Sequence, residues 1–139
     1  MGTEVREEAL KAKAVLGLGA SDDLWTEVTQ LAPDEFQAAR TELEHQGLIS
    51  VGEFVHPLYR EVLLHNLPSA QHQTFARRAI KALEADPQMA VSFLAAAGLE
   101  IGEALTWLER AAQAAREAGN QLQAARFQEI GRASCRERV

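Results

Sequence analysis

Cysteine is almost missing from this chain. The single thiol, Cys135, sits near the C-terminus and leaves no intrachain disulfide or thiolate cluster to build on. Aromatics are also sparse at 6%, and alanine is abundant, which favours close-packed helices over a sandwich or barrel. No apolar run reaches the roughly 18 residues that a membrane span needs. The N-terminus is acidic and amphipathic, with no basic-then-apolar leader. Basic side chains are in deficit, 14 against 20 acidic, for a formal charge of −6. That balance argues against a general binder of nucleic acid or anionic membranes. The expectation is a soluble cytoplasmic protein.

Catalytic motifs are equally scarce. A phosphate loop needs glycines at a fixed spacing followed by lysine, and Gly17-Leu18-Gly19 has neither the spacing nor the lysine. His45, His56, His65 and His72 lack zinc-like spacing and cysteine partners, so no metal site is expected. No Ser/His/Asp or Cys/His arrangement stands out, and no enzymatic activity is expected of this chain.

What is present is a succession of helical patterns. The 139 residues, 47% of them apolar, suffice for one domain or two very small ones. Val5, Ala9, Ala12 and Leu16 mark one helical face, ended by Gly17 and Gly19. Ser21 is a good N-cap, with Asp22 and Asp23 in a first turn that favours negative charge. That second helix, running to about Gln30, offers Leu24, Trp25 and Val28 to the interior. Pro33 starts a third, with Phe36, Ala39 and Leu43 inward and Gly47 as its left-handed stop. Leu48-Ile49 and Phe54-Val55 then read as a tight hairpin around Ser50–Glu53.

Three helices and a hairpin make a winged helix-turn-helix pattern, with a three-helix bundle and an irregular loop as the other reading. In a winged helix the third helix would read DNA. From Pro33 to Gln46 it carries Asp34, Glu35, Glu42 and Glu44 against Arg40 alone, a charge of −3. Phosphates would repel it, so direct nucleic-acid binding is not expected.

After the hairpin come His56 and Pro57. Proline suits a first helical turn, which places His56 at a helix start. Backbone N–H groups and the helix dipole there favour a phosphate or carboxylate. From these residues alone, His56 either caps its own helix or senses a phosphate. Arg60 and Glu61 either form a surface pair or face another domain. Tyr59 with Leu63, and Leu58 with Val62, read as packing faces.

The run Phe54-Val55-His56-Pro57-Leu58-Tyr59-Arg60-Glu61-Val62-Leu63-Leu64 resembles the phrase F-x-H-P/D-L-x-R-E-x-x-Y. That phrase closes the winged-helix domain of STAND-type AAA+ signalling ATPases, including LuxR-type and maltose-regulator-like transcriptional regulators. Leu67-Pro68 and the run Gln71–Glu84 resemble the family's next stretch. The likeness covers about residues 10–128. Leu64 stands near the family's tyrosine, and Gln71–Thr74 lack its leading basic residue.

The resemblance implies that His56 reaches the ADP phosphates in the closed, resting state and ties the winged helix to an upstream ATPase domain. His56 and Arg60 are the candidate nucleotide-sensing residues. The cofactors, ADP or ATP with Mg, would belong to the parent chain and not to this segment. The expected partners are that ATPase domain and a protein or small-molecule inducer at the helical region.

The second half continues in helices. Phe75, Ala76, Ala79, Ile80 and Leu83 stripe the first of them, with Arg77, Arg78 and Lys81 as a solvated basic face. Asp86-Pro87 opens one helix, expected to run unbroken to Gly98. Ala104, Trp107, Leu108, Ala111, Ala112 and Ala115 face the core of the next. Gly119-Asn120 turns into a last helix presenting Leu122, Ala125 and Phe127. Helical pairs with small contact residues look like tetratricopeptide-type repeats, or else a plain bundle. A cut repeat array would expose apolar surface around Leu122 and Phe127.

Residues 129–139, Glu129-Ile130-Gly131-Arg132-Ala133-Ser134-Cys135-Arg136-Glu137-Arg138-Val139, resemble the in-frame translation of a sequencing adapter, with a natural basic tail as the other reading. The organisation expected is mainly α: a winged-helix domain over 1–66, a tetratricopeptide-like start over 67–128, and an artefactual disordered tail over 129–139. The function expected is that of a non-catalytic regulatory segment, with a passive helical adaptor or a winged-helix DNA binder as alternatives.

Overall fold

The computed structural model describes residues 3–17 and 19–137, with side chains from Glu4 to Ala133. The chain is mainly helical, with one small two-stranded sheet. It forms two compact units that divide between Ala79 and Ile80. Among the described residues, no helix is long and apolar enough to cross a membrane.

The first unit is built around α1 (Thr3–Leu16), which packs against the three helices that follow the hairpin and precede it: α2 (Asp22–Thr29), α3 (Pro33–His45) and α4 (Pro57–Asn66). Small side chains allow the close approach: Ala9, Ala12 and Ala14 are completely buried. Ser21 caps α2 by accepting from the Leu24 N–H at 3.1 Å. Trp25 anchors the core. Its Nε1–H donates to the Ala9 carbonyl at 2.8 Å, and its ring meets Phe36 edge-on at 4.9 Å.

Pro33 begins α3 as expected. Its end is a Schellman motif: Gly47 N–H donates to Glu44 and Leu48 N–H to Leu43. Gly47 has a φ of +77°, which an L side chain adopts only at a cost. The chain then folds back in a two-residue hairpin, β1 (Ile49–Ser50) against β2 (Glu53–Phe54), with Ile49 opposite Phe54. Val51 and Gly52 both have positive φ, the signature of the turn whose twist suits a tight hairpin.

α5 (Ser69–Ala82) buries Phe75, Ala76, Ala79 and Ile80 as their spacing predicts. The units divide within this helix, beyond the expected boundary at 66/67. One bond explains part of the shift: Arg78 reaches back to the Val28 carbonyl at 3.1 Å.

The second unit contains α6 (Pro87–Ala90), a tight 3-10 turn (Val91–Phe93), α7 (Leu94–Ala97), α8 (Ile101–Glu117) and α9 (Gln121–Glu137). The expected single helix from Pro87 to Gly98 is therefore interrupted at Val91 and Ser92, both weak helix formers. α8 and α9 pair through Leu108, Ala111, Ala112, Ala115, Ala124 and Phe127, with Val91, Leu94 and Leu105 against them. Asn120 makes the turn between them: its N–H donates to Ala115, and its Oδ1 caps α9 at Gln123 N.

Two expectations for α9 change. Ala124 and Phe127 face the core, so Phe127 is not part of the exposed apolar surface expected of a cut repeat array. Leu122, at 70% exposed, is exposed as that expectation has it but does not face inward, and Ala125 is also exposed. Adjacent alanines at 124 and 125 leave the inward face ambiguous from sequence. The stretch expected to be a disordered tail continues α9 to Glu137; its last two residues lie outside the described chain, as does Leu18. Once a helix is nucleated, each added residue gains a hydrogen bond, and Glu, Arg and Ala propagate it readily.

Candidate functional site

His56 is the residue before Pro57 and occupies the N-cap of α4. Its φ of −134° and ψ of 129° are extended, as proline requires of the residue before it. The ring turns back on the helix, and Nδ1 accepts from the Leu58 N–H at 3.1 Å. An imidazole whose Nδ1 accepts carries its proton on Nε2 when neutral. The ring is solvent-exposed and lies edge-on to Tyr59 at 6.1 Å. Both readings of the sequence are thus compatible with one arrangement. One nitrogen caps the helix, and the other is a donor on the surface.

Arg60 has a different task. Its Nε–H donates to the Ala14 carbonyl at 2.8 Å, in the last turn of α1. That carbonyl is one of four at a helix end that lack an intrahelical partner, and the local dipole favours a cation there. The guanidinium also lies over Gly17, where a Cβ would come within 3.2 Å of Nη2. Arg60 therefore joins α4 to α1, and the side chain is not spread over solvent beside Glu61.

A third group went unnoticed in the sequence. Lys13 is on the buried face of α1, only 1% exposed, and its Nζ is 3.0 Å from Oε1 of Glu53 in β2. The contact lies outside directed hydrogen-bond geometry, so charge holds it. Lys13 also sits 5.6 Å from the centre of the Trp25 ring. The other Glu53 oxygen accepts from the Gly19 N–H at 3.0 Å. The available signal was a lysine interrupting the apolar run from Ala12 to Leu16; its partner, forty residues on, was not readable.

The basic face of α5 is only partly as expected. Lys81 is exposed, but Arg78 bonds Val28 and lies 5.8 Å from the Phe75 ring. On α3 the charge reading sharpens. Arg40, the helix's one basic residue besides His45, is paired with both Asp22 and Glu44. α4 departs further. Leu58, Tyr59 and Val62, expected as packing residues, are 54%, 44% and 52% exposed, because the side of α4 that meets α1 is the one bearing Arg60.

Among the described residues, no three His, Cys, Asp or Glu side chains gather as a metal ion would need. An open groove beside α2 and α3 is lined by Asp22, Asp23 and Glu27, carboxylates that suit no phosphate.

The chain matches no family model, no curated protein and no solved structure.

Proposed function

We propose that this chain is a non-catalytic regulatory segment of a larger STAND-type, LuxR-like ATPase regulator. Residues 1–66 would act as its winged helix, and residues 67–128 as the start of a tetratricopeptide-like sensor. Nucleotide, ADP or ATP with Mg, would sit in an ATPase domain upstream, and an inducer would act on the helical region. Opening of the resting state would then lead to transcriptional output. Residues 129–139 have no role in this reading; they resemble an adapter translation.

The observation that carries the proposal is the disposition of His56. Its ring stands exposed at the start of α4, with Nδ1 committed to the cap and Nε2 left as an outward donor. A hydrogen bond from such a donor to a charged phosphate contributes about 1.5–3 kcal/mol. Two nucleotide states differing by that bond would differ about tenfold or more in conformer population. The order of three helices, glycine stop and tight hairpin fits a winged helix. The antiparallel pairing of α8 and α9 through alanines fits a helical-repeat unit. Arg60 enters the proposal through the position it gives α4; its Nε–H is engaged by Ala14.

DNA reading by α3 is disfavoured by its carboxylates and by the pairing of Arg40. The competing role of a protein adaptor draws support from the exposed Leu58, Tyr59 and Val62. The test is ADP retention in the longer chain. His56→Ala should release ADP faster and raise basal output, and unchanged retention would favour the adaptor.

A further inference from the structure

His56 lies between two anchors. Three residues before it, Glu53 is tied to Lys13 and to the Gly19 N–H. Four residues after it, Arg60 is tied to the Ala14 carbonyl and lies over Gly17. Lys13, Ala14, Gly17 and Gly19 all belong to the last turn of α1 and the loop that leaves it. The short segment carrying the histidine is therefore held at both ends by one small platform.

We infer that the C-terminal turn of α1 positions the His56 ring, with Glu53 and Arg60 as positioning residues. The physical case rests on what each anchor would lose by letting go. Releasing Glu53 strands an ammonium that is 1% exposed, and an unpaired buried charge is among the costliest defects a fold can carry. Releasing Arg60 leaves the Ala14 carbonyl without its donor at a helix end. Between the anchors the backbone just before His56 is held by the hairpin, where Val55 N–H donates to the Leu48 carbonyl at 3.0 Å, but the side chains have no comparable hold. In α4 no residue is fully buried, and Val55 and Leu58 are each 54% exposed. The cap from His56 to Leu58 is a single exposed hydrogen bond, a small net contribution by itself. The ring's direction is thus set by α1, forty residues earlier in the chain, together with the hairpin that leads into it. It follows that a displacement at the end of α1 re-aims the Nε2 donor without any change at His56 itself. The inference rests on the proposed sensor role for its significance, but its test does not involve nucleotide.

The experiment is nuclear magnetic resonance on the full chain, reading the coupling across the hydrogen bond between Leu58 15N and His56 15Nδ1. The amide protection of Leu48, in the Schellman motif of α3, serves as the control. The coupling should be present in the wild type and lost in Arg60→Ala and in Glu53→Gln. It should return in Arg60→Lys, whose ammonium still reaches a carbonyl, and Leu48 protection should stay unchanged throughout. Glu53→Gln keeps the shape of the side chain and carries the test if Arg60→Ala does not fold. Persistence of the coupling in both variants would overturn the inference, because His56 would then hold itself. Loss of the coupling together with Leu48 protection would also overturn it, as general loosening of the unit. Neither result bears on ADP retention in the longer chain, which tests the sensor role separately.

Discussion

Arg60 and Ala14 are 46 residues apart in sequence, yet the Arg60 Nε–H donates to the Ala14 carbonyl at 2.8 Å. Two other arginines repeat the arrangement. Arg78 donates to Val28 in the last turn of α2, and Arg110 to Glu84 just beyond α5 while stacking 4.3 Å over Trp107. Each guanidinium satisfies a carbonyl at or near the end of a helix, where both the missing hydrogen bond and the dipole favour it.

Arg60→Ala should lower the stability of the first unit by about 1.5–3 kcal/mol, the range for a hydrogen bond to a charged group. Urea unfolding monitored by Trp25 fluorescence measures it. Gly17→Ala should also destabilise, since Gly17 has a φ of +78° and a methyl group there meets the guanidinium. Because the two changes disturb one contact, their effects should be less than additive in a double-mutant cycle.

The buried ion pair offers a sharper contrast. Glu53→Ala leaves Lys13 charged and enclosed, and should cost about 2–4 kcal/mol. Adding Lys13→Met removes the stranded charge, and the double variant should recover most of the loss. Chemical denaturation of the single and double variants checks this; equal stability of the two would mean that Lys13 finds water when its partner is gone.

The hairpin turn contains a correctable misfit. Val51 is β-branched, has a φ of +52° and is 90% exposed, so it carries backbone strain with little packing in return. Val51→Asn suits the turn and should stabilise the first unit by about 1 kcal/mol. A rise in the urea midpoint is the expected result.

Much of the fold was legible because its signals are local. Ser21, Pro33, Gly47, Asp86 and Asn120 each act within five residues of themselves, and the structure places all five at helix ends. The stripe from Phe75 to Leu83 was legible for the same reason, since burial follows helical spacing. What escaped was long-range and polar. Arg78 read as part of a solvated face, Arg60 as a surface or domain-facing charge, and Lys13 carried no reading, and their partners Val28, Ala14 and Glu53 carry no mark in the sequence. The exposed face of α4 escaped because Leu58 and Val62 have helical spacing whether or not anything covers them. The His56 site was half legible: proline announced the helix start, but only the geometry separates the capping nitrogen from the exposed one.

Substituting His56 with aspartate separates those two nitrogens. Aspartate is a strong N-cap, so in this chain His56→Asp should leave stability within about 0.5 kcal/mol of wild type, while alanine costs about 1 kcal/mol. It has no donor for a phosphate and adds a negative charge beside it. The decisive measurement is the ADP dissociation rate of the longer chain carrying His56→Asp. Acceleration of about tenfold or more over wild type is the expected result. An unchanged rate, in a protein whose α4 remains capped and folded, would contradict the assignment of His56 as a reporter of bound nucleotide.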